Sequence, residues 1–214
     1  MSRSNYTPIE INLNGLNLKG NLALTENAIG MVIFSHGSGS SRLSPRNNFV
    51  AGILQEKKLS TLLFDLLTEE EDMSYQNRFN IDMITLRLID VTHWVQQQKE
   101  LAGLPLGYFG ASTGAASALR AAAFYGQDIK AVVSRGGRPD LILSELHKVI
   151  SPTLLIVGGR DHAVVEMNEE AYQHLNCTKK LEIVAKSTHL FEEPGKLEEV
   201  ARLSSNWFTR HFKT

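Results

Sequence analysis

The chain has 214 residues, enough to bury a full core, and is expected to form a single domain over 1–214. Its 22 basic and 23 acidic side chains leave a formal charge of -1, which gives no electrostatic footprint for nucleic acid or an anionic membrane surface. The single cysteine, Cys177, excludes an intrachain disulfide and a Cys-rich zinc site, and a reducing compartment suits it.

The opening MSRSNYTPIEINLNG lacks the apolar h-region of a secretory signal, and no apolar run approaches the ~18 residues of a membrane span. A cytoplasmic protein is therefore expected. TPIEINLNG and LNLKGNLAL alternate apolar and polar positions around Asn14-Gly15, which predicts an antiparallel hairpin with one wet face. The pattern then changes to short unbroken apolar runs at 31–35, 61–67, 106–111, 131–134, 153–158 and 181–185. Runs this short and this apolar predict strands buried on both faces, as in a parallel sheet. Helical stretches are expected between them at about 46–58, 79–99, 113–125, 139–148, 166–175 and 195–212. In the second, Ile81, Ile84, Leu88, Val91 and Val95 recur at helical spacing and form one apolar face. The whole predicts an α/β fold: a mostly parallel sheet with an N-terminal antiparallel hairpin and helices on both faces. Ligands bind at the carboxyl ends of strands in such sheets.

One strand end stands out. The run LGYF is followed by Gly110-Ala111-Ser112-Thr113-Gly114 and then by a helix of small residues. This is G-x-S-x-G between strand and helix, where a serine on a strained turn projects its Oγ. Glycines on either side let the neighbouring backbone pack closely, and the helix N-terminus behind directs free N–H groups at a developing oxyanion. The alternative is a glycine-rich turn carrying a solvated serine.

A serine nucleophile needs a base and an orienting carboxylate, in the chain order Ser, Asp or Glu, His. Asp161 follows the TLLIVGG strand and His189 follows the LEIVA strand. Of the seven histidines, His93, His147, His174 and His211 fall within predicted helices, and His162 adjoins Asp161 too closely to face it. His36 precedes the loop Gly37-Ser38-Gly39 and is better suited to ordering that loop than to catalysis. Asp140 and Asp65 are the rivals of Asp161. The loop after Phe34 lacks the Gly-Lys-Ser/Thr of a phosphate cradle, so it is read as an oxyanion loop. The backbone N–H groups of Ser38 and Thr113 are the expected donors.

The segments HGSGSSRLSPRN, LLFDLLTEEE, GYFGASTGAA, VVSRGGRPDL, LLIVGGRD and THLFEEPG together resemble an α/β-hydrolase of the dienelactone-hydrolase-like group. The nearest type is the small bacterial hydrolase domain that occurs alone or fused to a phosphoribosyltransferase. The resemblance implies a serine-hydrolase triad at Ser112, Asp161 and His189. Dienelactone hydrolases proper carry cysteine where this chain has Ser112.

Only Arg135-Gly136-Gly137-Arg138-Pro139 separates the AVVS strand from the next helical stretch, too little for the helical cap many lipases of this fold insert there. An open site is expected. Arg135 and Arg138 are candidates to bind a substrate carboxylate or phosphate. The plainer reading pairs them with Asp140 or with Glu69-Glu70-Glu71-Asp72, itself expected to be a solvated loop. Trp94 and Trp207 are read as helix packing residues.

The reading that unites these features is a capless serine hydrolase acting on an ester, lactone or thioester. It needs no cofactor or metal, and its partner is a small-molecule ester-type substrate rather than nucleic acid or membrane. A homodimer is left open. The alternatives are an acyltransferase on the same residues and a non-catalytic binding module on the same fold.

Overall fold

The computed structural model describes residues 6–13 and 15–213. Strands β1 (Thr7–Leu13) and β2 (Leu16–Ala23) pair antiparallel, with Leu13 opposite Leu16. Asn14 of the expected Asn-Gly turn lies outside the described residues. In β1, Thr7, Pro8, Glu10 and Asn12 are exposed while Ile11 is buried, the predicted wet face.

The six apolar runs form β3 (Gly30–Ser35), β4 (Leu59–Phe64), β5 (Leu106–Ala111), β6 (Ile129–Arg135), β7 (Thr153–Gly158) and β8 (Lys179–Val184). One eight-stranded sheet results, in the order β1-β2-β4-β3-β5-β6-β7-β8. Pairing is antiparallel between β1 and β2 and between β2 and β4, and parallel elsewhere.

Side chains of successive strand residues go to opposite faces, and both faces are apolar, which explains the unbroken runs. On one face Ile33, Leu62, Tyr108, Val132 and Leu155 share a core with α3 (Ile81–Gln97), α4 (Thr113–Tyr125) and α5 (His162–His174). On the other, Phe34, Leu63, Phe109, Val133 and Ile156 pack with α1 (Pro45–Glu56) and α6 (Lys196–His211). Trp207 belongs to this second core and donates its indole N–H to the Pro152 carbonyl at 3.3 Å. No helix among the described residues is long and apolar enough to cross a membrane.

Four local expectations need correction. The run at 61–67 leaves the sheet after Phe64; Leu66 and Leu67 stay buried, but the Leu66 amide is taken by His36 rather than by a neighbouring strand. β8 is the sheet edge, so most of its residues are partly exposed instead of buried on both faces. Residues 139–148 form 3-10 turns with a break at Ile142 (φ -135°), which lets Ile142 and Leu146 both reach the core. The acidic run is a short helix, α2 (Glu69–Asp72), not a loop. Thr68 and Glu71 close a capping box on it, and negative side chains suit a helix N-terminus.

Candidate active site

The turn from β5 into α4 is tightly constrained. Ser112 stands there at φ 52° and ψ -124°, a region a non-glycine residue adopts only when its surroundings compel it. The compulsion comes from packing. A Cβ on Gly110 would meet Ala115 Cα at 2.5 Å, and one on Gly37 would meet Ser112 Cβ at 3.0 Å. Backbone bonds lock the turn sideways: the Ser112 amide donates to Arg135 at 3.2 Å, and the Arg138 amide donates to the Ser112 carbonyl at 3.1 Å.

Asp161 lies just past β7 and precedes the first residue of α5. That helix starts four residues earlier than its periodicity predicts, directly behind Asp161. Asp161 does not cap the helix with its side chain; its Oδ2 accepts from His189 Nδ1 at 2.6 Å. His162 is the first helical residue and is exposed. The loops carrying the pair are interlocked. The Arg160 amide donates to the Ser187 carbonyl at 2.8 Å, and a Cβ on Gly158 would lie 2.4 Å from the Thr188 carbonyl oxygen.

The His189 ring rests against Gly136, where a Cβ would stand 3.3 Å from Cε1. Gly136 directly follows Arg135, whose carbonyl holds the Ser112 amide. The 135–136 backbone is therefore the shared ledge between the serine turn and the histidine loop. Both rival carboxylates are engaged elsewhere. Asp65 accepts from the Arg42 amide at 2.7 Å and from its guanidinium, and Asp140 is bidentate with Arg138 at 2.8 and 2.9 Å.

His36 has both nitrogens assigned. Nδ1–H donates to the Gly37 carbonyl at 2.9 Å, and Nε2 accepts from the Leu66 amide at 3.0 Å. Burial pushes its pKa below the ordinary imidazole value. It is a neutral strut between two loops. His93, His174 and His211 fall on α-helices as expected, whereas His147 lies in the 3-10 segment 139–148.

The two arginines separate. Arg138 is held by Asp140. Arg135 is 7% exposed and makes no ion pair among the described residues. Its guanidinium donates to Asn47 Oδ1 at a long 3.5 Å and lies 6.0 Å from the centroid of the Phe191 ring. Burial, and then Arg46, lower its pKa to about 10, so it stays a cation at neutral pH.

Two features escaped sequence reasoning. Glu193 accepts from the Thr188 amide at 3.0 Å and from the Ser187 hydroxyl at 3.3 Å, bracing the histidine loop. Hydrogen bonds from its own backbone, and from Thr188 and Ser187, hold its carboxyl below the usual range. A carboxylate four residues past the histidine was the only available hint. The other feature concerns the expected oxyanion donors: the Ser38 amide donates to the Thr113 hydroxyl at 2.9 Å rather than facing open space. Both residues line a shallow cleft that also includes His36, Leu66 and Leu67. No cluster of three or more His, Cys, Asp or Glu among the described residues is arranged to hold a metal ion.

Comparison with known proteins gives a consistent picture. No family model matches the chain. A solved dienelactone hydrolase from Anabaena variabilis is 48% identical, covers 96% of this chain and 97% of its own, and superposes with a TM-score of 0.94. Est1E from Butyrivibrio proteoclasticus (16% identity, TM-score 0.83, 97% of this chain and 99% of that one) and an esterase of Pyrococcus furiosus (18%, 0.74, 97% and 91%) share the fold. Putative phosphoribosyl transferases from two strains of Mycobacterium tuberculosis are 53% identical over 192 residues. That match covers 90% of this chain but 43% of theirs, so the chain spans less than half the length of these curated relatives.

Proposed function

Since the chain belongs to the dienelactone-hydrolase family of α/β-fold hydrolases, we propose that it cleaves a carboxylic ester, lactone or thioester through an acyl-enzyme on Ser112. The observation that carries this reading is the 2.6 Å bond between His189 Nδ1 and Asp161, one backbone ledge away from a serine at positive φ. With Nδ1–H given to the carboxylate, Nε2 is left as the basic nitrogen.

His189 takes the Ser112 proton as Oγ attacks the carbonyl carbon, and the C=O electron pair moves onto oxygen. Collapse of the tetrahedral intermediate expels the leaving group, which receives that proton from His189. Water, deprotonated in turn by His189, then releases the acid and restores Ser112. Asp161 keeps the imidazole in the useful tautomer and stabilises its cation. The N-terminus of α4 supports negative charge on the oxyanion.

Arg135 favours an anionic substrate. A buried cation lacking a counter-ion is costly, and a substrate carboxylate or phosphate would relieve that cost. Arg138, already neutralised by Asp140, is assigned a structural role.

The test is fluorophosphonate labelling followed by a screen of ester chain lengths. Labelling should map to Ser112, and Ser112→Ala should abolish both labelling and turnover with little change in thermal stability, because no cavity opens in the core. Retention of more than about a tenth of wild-type turnover would remove Ser112 from the nucleophile role.

A further inference from the structure

The hydrogen bond from the Ser38 amide to Thr113 Oγ1 leaves that hydroxyl in an unusual condition. Thr113 is 3% exposed, and its hydroxyl oxygen accepts from the Ser38 amide at 2.9 Å. A hydroxyl also carries one proton to donate. Among the described residues no acceptor takes it. Thr113 lines the cleft beside Ser38, so this proton is free to be donated to an acceptor that a ligand brings there.

Its place identifies that acceptor. Thr113 directly follows Ser112 and opens α4, so its own N–H has no intrahelical partner. The 37–38 segment lies against the serine: a Cβ on Gly37 would stand 3.7 Å from Ser112 Oγ. The nucleophile, the first amide of α4 and the idle hydroxyl proton thus belong to one corner.

We infer that the Thr113 hydroxyl is itself an oxyanion donor. When Ser112 Oγ bonds to the carbonyl carbon and the π pair moves onto oxygen, the Ser112 proton goes to His189. The new oxyanion accepts hydrogen bonds from Thr113 Oγ1–H and Thr113 N–H. No proton leaves Thr113. The Ser38 amide stays on Oγ1 and polarises it, since donors in a chain strengthen one another. Ser38 is then a positioning residue acting through Thr113, which revises the expectation that its amide touches the substrate. This inference rests on the acyl-enzyme reading of Ser112.

The experiment compares Thr113→Val, Thr113→Ala and Thr113→Ser with wild type on an activated ester that is turned over in a Ser112-dependent manner. Loss of the hydroxyl in Val and Ala should lower kcat roughly 10²- to 10³-fold, the usual effect of deleting one oxyanion donor. KM should stay within about threefold, since the interaction forms in the transition state. Affinity for a trifluoromethyl ketone should fall in step with kcat/KM, and Thr113→Ser should retain most of the activity. If Val does not fold, Ala removes the same hydroxyl without filling space. Wild-type kcat in Val or Ala would overturn the inference, as would faster turnover, which would mean that the hydroxyl merely blocks the Ser38 amide. Equal loss in Ser would also overturn it, by showing a packing role. A wild-type protein without Ser112-dependent labelling would instead sink the acyl-enzyme reading.

Discussion

A Cβ on Gly114 would lie 2.2 Å from the Ser35 carbonyl oxygen and 2.4 Å from that of His36. The first turn of α4 therefore rests directly on the end of β3, with backbone against backbone and no flexible side chain to yield. Gly114→Ala should destabilise the protein by at least about 3 kcal/mol, at the upper end of overpacking costs, because two main chains have to separate. The expected readout is a large drop in the urea midpoint. A variant with wild-type stability would show that β3 and α4 are less tightly apposed.

Asp161 and Asp140 make opposite predictions. Asp161→Asn should lower turnover roughly 10³- to 10⁴-fold by leaving the His189 imidazole in the wrong tautomer. Asp140→Asn should leave turnover within a few-fold, since its carboxylate bonds Arg138. Steady-state kinetics on one activated ester decide it. If Asp140→Asn carried the large loss, the acid assignment would move.

Esters with a carboxylate near the scissile bond should be preferred over neutral esters of equal size by about tenfold to a hundredfold in kcat/KM. This corresponds to a desolvated charge-assisted contact of roughly 1.5 to 3 kcal/mol. Arg135→Gln should erase the preference and spare neutral esters, whereas Arg138→Gln should leave it intact. A wild-type preference for neutral acyl groups would end this assignment without any mutant.

His36 gives a pH dependence of stability. Its folded pKa is lowered from 6.5 by burial, so below pH 6.5 the unfolded chain takes a proton that the folded chain refuses. Stability that is full above pH 6.5 should decline as the pH falls through that value toward the depressed folded pKa. His36→Gln, which has no titration there, should flatten the slope of the urea midpoint between about pH 7 and 5. An unchanged slope in the variant would assign the effect to other groups.

The fold was largely legible because its signals are local. Tyr108 and Phe109 go to opposite apolar cores, so the β5 run reads as a buried strand without any knowledge of its neighbours. The glycines around Ser112, and the order Ser112, Asp161, His189, could likewise be read along the chain. Non-local choices could not. No local pattern says that β4 lies between β2 and β3, or that Asp140 pairs with Arg138 while Arg135 has no ion-pair partner among the described residues. Residues 139–148 read as a helical stretch, yet they form 3-10 turns broken at Ile142. The amide of Ser38 illustrates the general reason. A sequence says which groups can donate and accept, but only the close approach of chain segments 75 residues apart decides that this donor meets Thr113.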